Sequence, residues 1–304
     1  MGYRARISVT LLAVVLCLLP VSAVAAPNGK LIIAVIPEMN LVKQMERFTP
    51  LGRYLEKKTG MAIEIKPLSN YGQLYEEMRD GNIDAGFFGS FVYGMTRARL
   101  GIVPLVRPVQ PGGKSTYTGM IFIRKDSGIR KPADMRGKTI ALVDPATMAG
   151  YLAQKDYLLS HGINLDKELK IYWAASHEAA INAVLHHQAD IGGAKDTVVR
   201  KFRRENRVFD TLVEIVAESP KKGVPDNTLA VRKGLDLLTR EKLRHALLAM
   251  HKDPEAAGVL ARFGATRFIA TSDDDFRPLY ELTRHMKIDL KSYPYRKTSP
   301  SPSE

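Results

Sequence analysis

The chain has 304 residues and a formal net charge of +13, from 45 Lys and Arg against 32 Asp and Glu. Its 45% hydrophobic and 25% charged content is that of a globular protein, and its length suggests two domains, each large enough for its own core. A single cysteine excludes a disulfide framework and any Cys-rich zinc or iron–sulfur site.

Residues 1–25 read as a secretory signal peptide. Arg4 and Arg6 form a basic start, Ile7–Leu19 is apolar but short for a bilayer span, and Pro20 breaks it. Ala23-Val24-Ala25 supplies the small-residue cleavage site, with cleavage expected after Ala25. Processing would also remove Cys17, the only cysteine, whose neighbours Val15 and Leu16 are wrong for lipid attachment. No later stretch is long and apolar enough to cross a membrane. The mature protein is expected to be exported to the periplasm as a soluble chain.

Lys30–Val35 reads as an apolar strand, followed by helix over Leu41–Lys58, interrupted or restarted at Pro50 and stopped by Gly60. Met61–Lys66 alternates as a half-buried strand, Tyr71–Arg79 has helical spacing, and Ile83–Phe88 reads as a buried strand before a helix opening at Gly89-Ser90. Strand and helix alternate, which implies parallel strands with helical crossovers and an α/β fold. A second block repeats the rhythm: strands at Tyr117–Arg124, Lys138–Val143, Leu169–Trp173 and Ala189–Ala194, with helices to about Ser160, over Glu178–His187 and over Thr197–Arg204. Short strands at Glu214–Ala217 and Thr228–Arg232 precede helices at Thr239–His251, Pro254–Phe263 and Asp275–Met286. The Pro- and Ser-rich end, 291–304, is expected to be disordered.

Ligands of open α/β sheets sit beyond the carboxyl ends of the strands. That rule selects Phe88-Gly89-Ser90, Asp144–Gly150 and Ser176-His177. In the second of these, DPATMAG, small residues lead into a helix whose first amides and dipole attract anions. Thr147 can cap that helix or donate to an anion; spacing leaves both open.

The run from Tyr117-Thr118-Gly119 to Ser127-Gly128-Ile129, then Gly137-Lys138-Thr139 and Asp144–Tyr151, resembles the phosphonate/phosphate/phosphite solute-binding proteins of ABC transporters. Asn70-Tyr71, Gly81–Gly89, Ser176-His177-Glu178, Ser219-Pro220, Pro225-Asp226-Asn227 and Val231-Arg232-Lys233 extend the match from about Lys30 to Leu282. The resemblance implies a two-lobe class II periplasmic binding protein fold. Lobe 1 would comprise 29–118 with 229–290, and lobe 2 would comprise 119–228, with crossings near Tyr117–Met120 and Asn227–Ala230. It implies a ligand held by Tyr71 and Tyr117, by Thr147 with the amides of Met148 and Ala149, and by His177, with Ser90 a weaker candidate. The family's Ser-Thr-Ser-Gly at the anion turn is here Thr147-Met148-Ala149-Gly150. Positions that meet a ligand amine in aminoalkylphosphonate binders fall near Asp196-Thr197 and Asp226-Asn227.

The implied function is capture of a small oxyanion (phosphonate, phosphite or phosphate) by a monomer that delivers it to a membrane permease. The alternative is a sensor module of the same fold signalling to a membrane kinase. No cofactor is implied. No nucleophile–base–orienter set is apparent, and His186-His187 are adjacent on a helix and cannot share a metal face, so the chain is read as a non-enzyme. The densest basic cluster, Arg200-Lys201-Phe202-Arg203-Arg204, reads as a solvated helix face, so no nucleic-acid partner is expected.

Overall fold

The computed structural model describes residues 29–295. The expectations for residues 1–25 and for 296–304 lie outside them. Eleven strands form two sheets. β1 (Lys30–Val35), β2 (Ala62–Pro67), β3 (Ala85–Phe88) and β4 (Val103–Val109) belong to the first. β5 (Thr116–Arg124), β6 (Thr139–Leu142), β7 (Lys170–Trp173), β8 (Ile191–Lys195) and β9 (Val213–Pro225) form the second. The chain then returns through β10 (Thr228–Val231) and β11 (Arg267–Ala270) to the first. The orders are β11-β4-β10-β3-β1-β2 and β7-β6-β8-β5-β9. Each sheet with its helices is one lobe.

The parallel expectation holds where helices make the crossovers. β1 pairs in parallel with β2 and β3, and β6 with β7 and β8. It fails at the strands that carry the chain between lobes: β10 is antiparallel to β3 and β4, and β5 is antiparallel to β8 and β9. Side chains of β1 alternate between two apolar layers. Ile33 and Val35 pack with Phe48, Leu51 and Phe87; Ala34 and Ile36 pack with Leu74 and Phe88. Both faces of the sheet are therefore covered, as parallel strands require.

Helix Leu41–Thr59 runs through Pro50 without interruption. A proline costs the bond to the carbonyl four residues back, and here Phe48, Leu51 and Leu55, all buried, keep the helix on the sheet. Asn40 caps its start by accepting from the Lys43 amide, and Gly60 ends it at φ 69°. Tyr71 lies before the second helix, which begins at Gln73.

Two strands escaped the sequence reading. β4 contains Pro104 and Pro108, which argue against an interior strand, yet it lies between β10 and β11. β11 is only four residues long. The short strand expected at Glu214–Ala217 lies near the start of the 13-residue β9, whose pairing with β5 shifts register twice and so breaks the alternation.

The crossings between lobes fall slightly earlier than expected. β5 joins the second sheet from Thr116, so Tyr117–Met120 lies inside a strand and the first crossing is in 110–115. The second is Asp226-Asn227, since Thr228 already pairs with Phe88 of β3. The end of the described chain is also a correction. Lys291–Tyr295 packs across both lobes because its two tyrosines are anchored. Arg99 donates to the carbonyls of Lys291 and Tyr293, and the Tyr293 ring meets Phe91 at 5.0 Å.

Candidate functional site

The carboxyl ends of β1, β3, β6, β7 and β8 face one narrow cavity. The first lobe contributes Ile36, Glu38, Tyr71 and Gly89. The second contributes Tyr117, the turn Ala146–Ala149, His177 and Lys195. Tyr117 comes from the beginning of a strand, but β5 runs antiparallel to β8 with Gly119 opposite Lys195. Its start therefore lies at the same end. The cavity measures about 10 Å³, room for about one water.

On one wall, the turn after β6 is tied back on itself. The Asp144 carboxylate accepts from the Ala146 amide at 2.7 Å, and the Asp144 carbonyl accepts from the Thr147 amide and hydroxyl at 2.9 and 2.7 Å. The Thr147 hydroxyl is thus spent inside the turn and does not cap the helix. A π-helical turn, Met148–Leu152, opens into the helix Ala153–Ser160. The amides of Met148 and Ala149 belong to this first turn, where no intrahelical carbonyl is available to them. Gly150 is demanded by packing: a Cβ there would stand 2.4 Å from Val143 Cγ2.

His177 opens the next helix behind its N-cap Ser176. Its Nδ1 accepts from the Lys195 amide at 3.2 Å, which places the ring proton on Nε2. Burial lowers its pKa to about 4; Glu38 opposes the shift and Lys195 adds to it. The ring is a neutral donor near pH 7. Tyr71 stands edge-on to it, centroids 6.2 Å apart. The Tyr71 hydroxyl is buried with no hydrogen-bond partner among the described residues, and burial pushes its pKa well above the usual phenol value. Tyr117 differs: its hydroxyl accepts from the Ser90 amide at 3.1 Å. Burial raises it to about 12 against the pull of Lys195.

On the opposite wall, the buried Lys195 ammonium lies 2.7 Å from Glu38 Oε1, pairs with Asp226 Oδ1 and sits 4.7 Å over the Tyr117 ring. Glu38 Oε2 accepts from Arg47 at 2.8 Å and from Asn227 Nδ2 at 3.1 Å. Burial alone would raise the Glu38 pKa, but Lys195 and Arg47 reverse this and hold it well below the usual carboxylate range. Burial would lower Lys195; Asp226 and Glu38 outweigh it and hold the ammonium above its usual value.

Of the residues singled out in the sequence, Tyr71, Tyr117, Thr147, Met148, Ala149 and His177 line the cavity. Ser90 does not. Its hydroxyl donates to the Pro225 carbonyl at 2.7 Å, and the neighbouring Gly89 faces the cavity instead. Asp226 and Asn227 stand behind the wall, holding Lys195 and Glu38. Asp196 turns away to accept from the Thr118 amide at 3.1 Å, and Thr197 is not on the cavity. Glu38 and Lys195 were missed. Both stand at the carboxyl end of an apolar strand, so the rule that selected the other turns would have found them. Among the described residues, no three His, Cys, Asp or Glu side chains gather as a metal site.

The C-terminal segment closes over the back of the Asp144–Gly150 turn. The Tyr293 hydroxyl donates to the Pro145 carbonyl at 3.2 Å, and the Tyr295 hydroxyl lies 3.0 Å from Asn70 Oδ1 and 3.3 Å from Asp144 Oδ2.

Comparison with known proteins identifies the family and the fold. Residues 33–276 match the family model described as ABC transporter, phosphonate, periplasmic substrate-binding protein. The phosphate-import protein PhnD of Mycolicibacterium smegmatis is 30% identical over 181 residues, 56% of either chain, so the match spans a little over half of that relative. The phosphonates-binding periplasmic protein of Escherichia coli is 24% identical over 255 residues, 83% of this chain and 74% of that one. The structure of PhnD1 from Prochlorococcus marinus in complex with methylphosphonate superposes with a TM-score of 0.76 at 17% identity, over 85% of this chain and 98% of that one. That likeness fixes the two-lobe periplasmic binding protein fold. A model match over most of the chain fixes the family: the chain belongs to the periplasmic substrate-binding proteins of phosphonate ABC transporters.

Proposed function

We propose that this protein captures a small tetrahedral oxyanion (a phosphonate, phosphite or phosphate) between its lobes and delivers it to the permease. One observation carries the reading. The buried Tyr71 hydroxyl has no partner among the described residues and shares a cavity with His177 and with Met148 and Ala149, the first residues of a helical turn. Three separate segments thus bring donors to one cavity, and burying an unsatisfied donor is costly unless a ligand completes it. An anion is what amides at a helix start favour. His177 adds a neutral Nε2 donor, and Tyr117 lines the same cavity. A water-sized cavity does not admit a tetrahedral anion unless the lobes part, so uptake is a cycle of opening and closing.

Export with cleavage after Ala25, and action as a monomer, complete the proposal. The basic start and Ala23-Val24-Ala25 support the first.

A thermal-shift panel of methylphosphonate, 2-aminoethylphosphonate, phosphite, phosphate and sulfate, followed by calorimetry, tests the reading. A raised melting temperature with at least one phosphorus oxyanion is expected. No response to any of them overturns it.

A further inference from the structure

The wall opposite the anion turn has a feature the oxyanion reading does not use. Lys195 is buried at 4% side-chain exposure, between two carboxylates that are equally buried, Glu38 at 6% and Asp226 at 3%. The lysine ends a strand of the second lobe; Glu38 follows β1 of the first, and Asp226 lies in the crossing. Every oxygen of the two acids has a partner. Glu38 Oε1 takes Lys195, and Glu38 Oε2 takes Arg47 and Asn227. Asp226 Oδ1 takes Lys195, and Asp226 Oδ2 takes Gln110 Nε2. Charge balances as well, with Lys195 and Arg47 against Glu38 and Asp226.

We propose that the Lys195 ammonium is a built-in cation that fills the place between Glu38 and Asp226, so that the site takes a compact oxyanion without an amino group and rejects aminoalkylphosphonates. This rests on the oxyanion reading above. A ligand ammonium needs a desolvated carboxylate, and Glu38 is the one acid lining the cavity. It would have to displace Lys195 from both acids or sit unpaired in a buried site, and either is costly. Space acts in the same direction. Ile36, Ala146, Met148 and Ala149 wall the cavity, and a tail beyond the tetrahedral head meets either apolar side chains or the lysine itself. Parting of the lobes admits the head. Closure brings Lys195 back onto Glu38, so in the closed cleft it is removal of the Lys195 side chain that frees the room next to the two carboxylates.

The test compares methylphosphonate with 2-aminoethylphosphonate by calorimetry, in the wild type and in Lys195→Ala. It also reads the melting temperature of both proteins with n-propylamine, which supplies the atoms the substitution deletes. The wild type is expected to prefer methylphosphonate by at least about 100-fold. In Lys195→Ala that preference should shrink by at least about tenfold, and propylammonium should raise the melting temperature of the variant alone. Comparable wild-type affinity for the two ligands overturns the proposal, as does a folded Lys195→Ala that keeps the full preference and ignores propylammonium. Should that variant not fold, the wild-type preference decides. If the wild type binds no oxyanion, the oxyanion reading falls separately. Propylammonium rescue would then still support the lysine as occupant of the acid pair, and its absence would remove both ideas.

Discussion

Lys195 holds His177 through its backbone amide and Glu38 through its side chain. The lysine's amide donates to His177 Nδ1 at 3.2 Å, fixing which imidazole nitrogen carries the proton, while its side chain crosses to Glu38 in the other lobe. One residue therefore orients a donor of the anion side and joins the lobes. In the proposed function, closure and recognition are thereby linked through Lys195.

Tyr71→Phe separates ligand contact from fold. The hydroxyl has no partner to lose, so the melting temperature should stay or rise slightly. Binding of whichever oxyanion the panel identifies should weaken by about 1–2 kcal/mol, roughly tenfold. Calorimetry and thermal unfolding of the same variant check both parts. A loss of stability with unchanged affinity would place the hydroxyl outside the site.

Thr147→Ala should behave in the opposite way. Its hydroxyl is committed to the Asp144 carbonyl, so the variant should lose about 1 kcal/mol of stability and less than tenfold in affinity. Ala149→Asp introduces a carboxylate among the first-turn amides and should abolish anion binding; because Ala149 is buried, the melting temperature should fall as well, the helix start offsetting only part of the loss. Retained affinity in Ala149→Asp, with the fold intact, would move the anion site elsewhere.

Stability between pH 4 and 6.5 should reflect two buried groups of opposite sign. His177 has its pKa lowered to about 4, so the unfolded chain takes up the proton first and stability falls as pH drops from 6.5 to 4. Asp144 is pushed up to about 6 by burial, against the bonds from Ala146 and Tyr295. Its contribution is present below the unfolded carboxylate value and is lost as pH rises through 6. Each is worth roughly 2–3 kcal/mol at most, so they largely cancel in the wild type. Asp144→Asn should expose the histidine, with the melting temperature falling as pH drops; His177→Gln should expose the aspartate, with the melting temperature falling as pH rises toward 6. Identical pH profiles in both variants would refute the assignment.

The C-terminal segment should contribute to the closed state. Tyr293→Ala with Tyr295→Ala removes two half-buried rings and their bonds to Pro145, Asn70 and Asp144, a loss of roughly 2 kcal/mol or more. Gly72→Ala attacks the same contact from the other side, since its Cβ would stand 1.9 Å from Tyr295 Cε1. Both should lower the melting temperature. If neither does, Lys291–Tyr295 contributes nothing to the fold.

The sequence by itself determined the two α/β blocks and the strand-to-helix turns that carry Thr147, Met148, Ala149 and His177, all local features: apolar periodicity, a helix start, a strand's carboxyl end. Tyr71 and Tyr117 followed from the family resemblance and not from any local pattern. Only the tertiary structure decided which charged residues meet. Glu38 and Lys195 are 157 positions apart and Lys195 and Asp226 are 31 apart, and no periodicity relates them. The one-residue step from Asp196 to Lys195 decides whether an acid or a cation faces the cavity, because successive residues at a strand end point to opposite sides. The same holds for β4, where prolines mask a strand that long-range pairing imposes, and for Tyr293 and Tyr295. Their Pro- and Ser-rich surroundings read as disorder until packing against Phe91 and the Asp144 turn supplies a reason for order.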